Sequence, residues 1–259
     1  MLLQNQEIVK IAPSIGALNP HEEVSDKYTF IPTIEVVDIL RKEGWMPTRV
    51  TEAGFRKPDN KGFQKHMIRF QHPDLILKNE AIEAVLINSH NRSCAYKLMT
   101  GVYRFICMNG MILGDTFDSI SIKHINFNQQ DVIEASYKVL ETAPIVAKSL
   151  EEMKATHLQE AEREAYAKSA LQLVYDDPEE TPIDTWQLLL SRRTQDCESD
   201  LWTTFNTVQE NIIKGGLRGR NRKTGKRIKT RPVKAIDRNI KLNRALWTLT
   251  EEMKKLKRK

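Results

Sequence analysis

Val132, Val139, Val146 and Met153 recur every seven residues, and Ser136, Ala143, Leu150 and His157 fall between them. Alternating steps of four and three residues put all eight on one stripe of an α-helix. The stripe predicts a helical stretch from Asp131 to about Tyr175, with a face of small and medium side chains packed on a sheet. A free coiled coil is the other arrangement this spacing allows. Pro144 lies inside the stretch. A proline has no N–H and its ring clashes with the preceding turn, so it is expected to kink or divide the helix.

The text before this helix has a different period. Pro47–Phe55 and Lys65–Gln71 read as strands joined by the turn-rich Lys57–Gly62, and Ala84–Ile87 as a short apolar strand. Tyr96–Cys107 and Met111–Leu113 flank Asn109–Gly110, the pair best suited to a type I′ hairpin. Ser119–Ile125 reads as a further strand. Ahead of the strands, Pro32 and Thr33 open a helix with Ile34, Val37, Leu40 and Ile39 as its apolar residues, and Gly44 ends it. Residues 1–27 read as an arm with little structure of its own.

After the long helix, Asp176–Pro182 is an acidic, proline-containing linker. Asp200–Lys214 is a helix with Leu201, Phe205, Val208 and Ile212 on one face, stopped by Gly215–Gly216. Pro232–Leu256 is another, and between them Thr224–Gly225 can turn a small basic hairpin. The expected fold is α+β. It has an N-terminal arm (1–27), a core of antiparallel sheet packed against a long helix (28–175), and a helical C-terminal region (183–259) with a basic segment at 214–259.

Charge is unevenly spread. Residues 214–259 hold 18 Lys/Arg against Asp237, Glu251 and Glu252, a net of +15, so the other 213 residues carry −9 of the overall +6. An acidic body with a strongly basic segment points to a polyanionic partner. Arg218, Arg220, Arg222, Lys223, Lys226, Arg227, Lys229 and Arg231 are the expected phosphate ligands. Arg218, Arg220 and Arg222 alternate, so they would share one face of an extended strand. Binding through about six phosphates would weaken on the order of a thousandfold between 50 and 200 mM salt. Arg92, Lys97, Tyr103 and Arg104 are further candidates, because aromatic residues among cations can stack bases and hold a backbone. The bland readings are a solvated tail, a patch that pairs with the chain's own acidic body, and aromatics that belong to the core.

Other functions find less support. No apolar run approaches the length of a membrane span, and residues 1–13 lack the pattern of a signal peptide. Cys94, Cys107 and Cys197 are odd in number and far apart, which fits reduced thiols in a cytoplasm. Gly219, Gly225 and Lys226 have the wrong glycine spacing for a phosphate loop, and Arg227 stands where Ser/Thr would be needed. His90, Cys94 and Cys107 lack zinc-ligand spacing. Ser89 and His90 are adjacent and would point apart on an extended chain. No enzyme, cofactor or metal is expected.

Two stretches resemble a known family. Asn88-Ser-His-Asn-Arg-Ser followed by Gly101-Val-Tyr-Arg-Phe-Ile-Cys-Met-Asn-Gly110 resembles the phage- and plasmid-borne domain of unknown function 932, also called uncharacterised protein family 0380. Leu201–Asn211 and Leu242–Trp247 look like its C-terminal part. The resemblance implies a mobile-element setting and brings no established activity. The order of helix, Gly44–Trp45, hairpin, strands and long helix is also similar to single-strand annealing proteins of the RecT, Redβ and Erf type. There a sheet crossed by a long helix builds rings or filaments on single-stranded DNA, which implies a homo-oligomer. The expected function is non-catalytic nucleic-acid binding, with binding or annealing of single-stranded DNA as its concrete form. The alternatives are a protein-interaction module that counters a host defence factor, and an unrecognised nuclease.

Overall fold

The computed structural model describes residues 2–22, 30–55, 57–91, 93–113, 120–122, 128–175, 177 and 181–258. In chain order the elements are α1 (Asn5–Ile11), α2 (Thr33–Lys42), β1 (Met46–Glu52), β2 (His66–Ile76), β3 (Glu80–Asn88), β4 (Tyr96–Arg104), β5 (Asn109–Ile112), β6 (Ile120–Ile122), α3 (Gln129–Ala155), α4 (Glu160–Gln172), α5 (Thr185–Leu188), α6 (Leu201–Lys214), β7 (Arg218–Arg220), β8 (Arg227–Lys229) and α7 (Ile236–Lys257). This is a mixed α+β chain, as the change of period predicts. Among the described residues no helix is long and apolar enough to cross a membrane. The chain divides into two compact units, Met1–Phe105 with Asp115–Pro144, and Ile106–Gly114 with Ile145–Lys259.

In the first unit β1, β2, β3 and β4 pair antiparallel in that order, and β6 pairs with β4. All nine residues of β3 are buried. Its Glu83 is buried as a charge, and it accepts from Arg69 Nη1 at 2.8 Å and Gln71 Nε2 at 2.9 Å. A carboxylate taken out of water needs such donors.

The N-terminal segment differs from the expected loose arm. A Gln4–Glu7 capping box starts α1, and Ile8 and Ile15 are fully buried. Arg41 Nη2 donates to Leu3 O at 2.6 Å, Asn5 Nδ2 donates to Asp38 Oδ1 at 2.9 Å, and Ser14 N donates to Glu52 Oε1 at 2.8 Å. Sparse apolar periodicity hid this, because a few separate apolar residues together with polar anchors, and no continuous stripe, hold the segment. In α2 the buried face is Thr33, Val36, Val37 and Leu40, with Ile34 and Ile39 only half-buried.

Two further expectations are corrected. The turn after β4 is Phe105–Met108, with Met108 at φ 55°, and Asn109–Gly110 are the first residues of β5. The helix does not divide at Pro144, which lies inside α3. The break comes at Thr156–Gln159, where Leu158 N donates to Ser199 O and Leu201 N donates to Thr156 O. Those backbone bonds replace the helical ones that the break loses. The heptad stripe holds up from Val132 to Met153, where all seven residues are buried, while His157 falls in the break.

Thr33 Oγ1 centres a buried polar cluster in the first unit. It lies 2.9 Å from His66 Nε2 and 3.2 Å from His90 Nε2, and accepts from Asn88 Nδ2 at 3.0 Å. His66 Nδ1 lies 3.1 Å from Gln64 O and 2.9 Å from Ser14 Oγ. A carbonyl only accepts, so His66 carries its proton on Nδ1 and takes one from Thr33 at Nε2. His90 then donates to Thr33 from its own Nε2. Burial, helped by the His90 ring, pushes the His66 imidazole down to about 3, against the raising effect of Gln64. Ser89 does not act with His90, since its hydroxyl donates to Cys94 O and accepts from Cys94 N.

A histidine held neutral in the fold contributes stability above its free pKa of 6.5, which is lost as the pH falls toward 3. His66 alone should make the protein about 1.4 kcal/mol less stable at about pH 5.5 than at about pH 7.5. Urea unfolding at the two values measures this, and NMR of the ring should show it neutral at both. Equal stability, or a ring that titrates near 6.5, would contradict a dry His66.

Candidate nucleic-acid interface

The basic segment leaves the end of α6, a helix buried on every side. Each residue from Leu201 to Ile212 is buried, so the polar ones need internal partners. Asn211 Nδ2 donates to Leu188 O at 2.9 Å and Leu190 O at 3.0 Å, and its Oδ1 accepts from Arg192 Nε at 2.8 Å. Gln209 Nε2 donates to Asn243 Oδ1 at 2.9 Å. Glu210 accepts from Arg193 Nη2 at 2.6 Å and Lys214 Nζ at 2.7 Å. Burial works to raise the Glu210 carboxyl, but these cations outweigh it and hold the group below the usual carboxylate range. Arg193 is shifted up in return, chiefly by Glu210.

Gly215 and Gly216 turn the chain out of α6, and β7 and β8 then pair as an antiparallel ribbon. Its turn is closed by Gly225 N donating to Asn221 O at 2.8 Å and Thr224 N donating to Asn221 Oδ1 at 2.8 Å. Gly225 takes φ 67°, which side-chain-bearing residues rarely adopt. This is the small basic hairpin that Thr224–Gly225 predicts.

Register sorts the cations. Arg218 lies opposite Lys229, and Arg220 opposite Arg227. Directly opposed residues share a face, so these four cations stand together on one side and are all exposed. Gly219, opposite Ile228, faces the other way. A Cβ on Gly219 would lie 1.8 Å from Pro182 O. The Pro182 carbonyl accepts from Arg220 N at 2.9 Å, and Gln187 Nε2 of α5 donates to Arg218 O at 2.9 Å. Residues 182–188 therefore back the ribbon.

The remaining predicted ligands separate. Lys223, Lys226 and Arg231 are exposed at the turn and the ribbon's exit. Arg222 does not continue the Arg218–Arg220 face. Its Nε donates to Thr181 O at 3.1 Å and its guanidinium lies 3.8 Å from Asp184. In the first unit Lys97 is exposed, but Tyr103 is half-buried with the Arg49 guanidinium 4.4 Å over its ring. Arg104 is only 4% exposed, so it is no surface contact. Arg92 lies outside the described residues. The strand pattern could not reveal this, because β4 is covered on both faces over most of its length.

The basic segment is also not uniform. At its far end Lys254 bonds Ser149, Glu251 and Glu152, Lys255 pairs with Glu252, Lys257 with Glu162, and Arg258 with Glu152. Lys254, Lys257 and Arg258 fasten α7 to α3 and α4, while Lys255–Glu252 is a pair within α7. Arg218, Arg220, Arg227 and Lys229 have no salt bridge among the described residues.

Beside the ribbon is a cavity of about 720 Å3 with an apolar wall that includes Ile212, Leu217, Ile228 and Val233, and with Lys229 and Arg238 among its cations. Tyr175 also lines it, and burial raises its hydroxyl pKa against the pull of Arg238. Among the described residues no group of three or more His, Cys, Asp or Glu is arranged to hold a metal ion.

The sequence profile of the family described as "Domain of unknown function (DUF932)" matches residues 20–247. Two Escherichia coli (strain K12) proteins are similar over nearly the whole chain. UPF0380 protein YafZ and UPF0380 protein YfjQ are each 37% identical over 251 residues, covering 97% of this chain and 91% of the relative. No solved structure matches.

Gly219 makes the ribbon's seat testable. Gly219→Ala must push the ribbon off Pro182, and overpacking of this kind costs about 1–3 kcal/mol. Urea unfolding should show that loss, and limited trypsin digestion should cut faster at the ribbon's arginines. Wild-type stability and cleavage would mean that Pro182 does not sit against the ribbon.

Proposed function

This chain belongs to the DUF932 family, a membership that carries no activity with it, and we propose that it is a non-catalytic nucleic-acid-binding protein whose β7–β8 ribbon holds the phosphates of single-stranded DNA. One observation carries the reading. Arg218–Lys229 and Arg220–Arg227 are like-charge pairs placed directly opposite each other on an exposed face. Such pairs destabilise a two-stranded ribbon. Phosphates along a nucleic-acid backbone would relieve that repulsion and release condensed counterions. The Arg side chains add a planar fork suited to phosphate oxygens.

The same reading explains why the ribbon is braced. A two-stranded hairpin alone is marginal in water. Here Pro182, Gln187 and the Leu217–Thr230 bonds hold it in place without using the cations of its open face. Preorganised charges lose less freedom on binding than those of a solvated tail.

Fluorescence anisotropy with single-stranded and duplex oligonucleotides across a salt series tests the proposal. Six phosphate contacts predict a log–log salt slope of about −4 for a single strand. Replacing Arg218, Arg220, Arg227 and Lys229 together by Ala should make that slope shallower by about 3 and weaken binding at low salt. Lys97→Ala should change it little. Binding that ignores salt, or a quadruple variant that binds as well as the parent, would refute the ribbon as the phosphate site.

A further inference from the structure

Four tryptophans are present. Trp45 and Trp247 are fully buried and Trp202 is 2% exposed, whereas Trp186 is 58% exposed. An indole left in water forgoes the burial that drives folding, so an exposed one held in a fixed place is a ready contact surface. Trp186 is held in place. It lies in α5, whose Asp184–Gln187 capping box closes the turn and whose Leu188 is buried. Leu188 O accepts from Asn211 of the buried helix α6. On the other side Gln187, the next residue along the chain, donates to Arg218 O. The short helix that exposes the tryptophan is thus tied to the strand that carries two of the four cations.

We infer that Trp186 stacks on an unpaired base of the strand whose phosphates lie on Arg218, Arg220, Arg227 and Lys229, and so sets the preference for single strands. The inference rests on the polyanion reading of the ribbon given above. Its physical basis is the pairing of charge with an aromatic face. Every base has a π-face, so an exposed indole on the short helix that bonds the cationic strand can stack on a base with little regard to sequence. In a blunt duplex the bases are already stacked on one another and offer Trp186 nothing. The neighbouring cations argue for a nucleic acid over an apolar protein surface as the occupant of this face.

The arrangement supplies its own probe, because Trp186 is the solvent-accessible emitter. An oligothymidylate of about 15 nucleotides, added to the full chain, should quench tryptophan fluorescence and protect it from iodide. Trp186→Phe should abolish the quenching while keeping most of the affinity, since Phe can still stack. Trp186→Ala should weaken oligothymidylate binding by roughly 5- to 150-fold and leave blunt-duplex binding unchanged. Circular dichroism of both variants should match the parent, as an exposed side chain is altered. Oligothymidylate that binds by anisotropy without quenching, or a Trp186→Ala chain that binds it as the parent does, would overturn the inference and leave the ribbon reading intact. An equal loss for single strand and duplex would overturn it as well. Absence of any oligonucleotide binding by the parent chain would defeat the ribbon reading itself.

Discussion

Glu210 has 3% of its side chain exposed and still carries a charge, because Arg193 and Lys214 both bond its Oε1. The second unit depends on this arrangement. A helix buried over twelve consecutive residues cannot leave a carboxylate unpaired, since an isolated buried charge costs several kcal/mol. Arg193 also pairs with Asp196, and Lys214 also donates to Cys107 O at 3.1 Å. The same contacts that keep Glu210 ionised therefore fix the residues before α6 and the point where the basic ribbon begins. Asn211 extends the set by holding Leu188 and Leu190, and thereby α5.

Charge in the C-terminal segment follows from that frame. The cations at the end of α7 meet acids of α3 and α4, so they serve packing between helices. The ribbon cations meet one another. The net of +15 thus includes cations at the end of α7 that pair with acids and four ribbon cations, Arg218, Arg220, Arg227 and Lys229, that have no salt bridge among the described residues. Acids of α3 and α4 are partners of α7, while on the ribbon only Arg222 reaches an acid in a described contact, at Asp184.

The first unit shows the same rule in a neutral form. Thr33, His66, His90, Asn88 and Ser14 come from four separate stretches of chain and hydrogen-bond to one another out of water. Burial keeps His66 neutral, and the cluster ties the N-terminal segment and α2 to the sheet. Arg69 and Glu83 do for the sheet what Arg193 and Glu210 do for α6.

The sequence by itself determined the elements that short-range chemistry dictates. The heptad stripe of α3 was legible because a 3.6-residue period writes burial directly into spacing. The basic hairpin was legible because Gly225 is one of few residues that accept φ 67°. The cationic face of the ribbon was half legible. Alternation placed Arg218 and Arg220 together, but Lys229 and Arg227 joined them only through cross-strand register, which pairs residues far apart in the chain. Tertiary structure alone buried Arg104 and turned the exposed Arg222 toward Thr181 and Asp184, because their covering residues or partners are distant in sequence. It alone pressed Gly219 against Pro182 and left Trp186 outside while the other tryptophans went in. No local pattern encodes those outcomes. They depend on which surfaces meet when the chain closes, and apolar burial and charge pairing are settled between neighbours in space rather than in sequence.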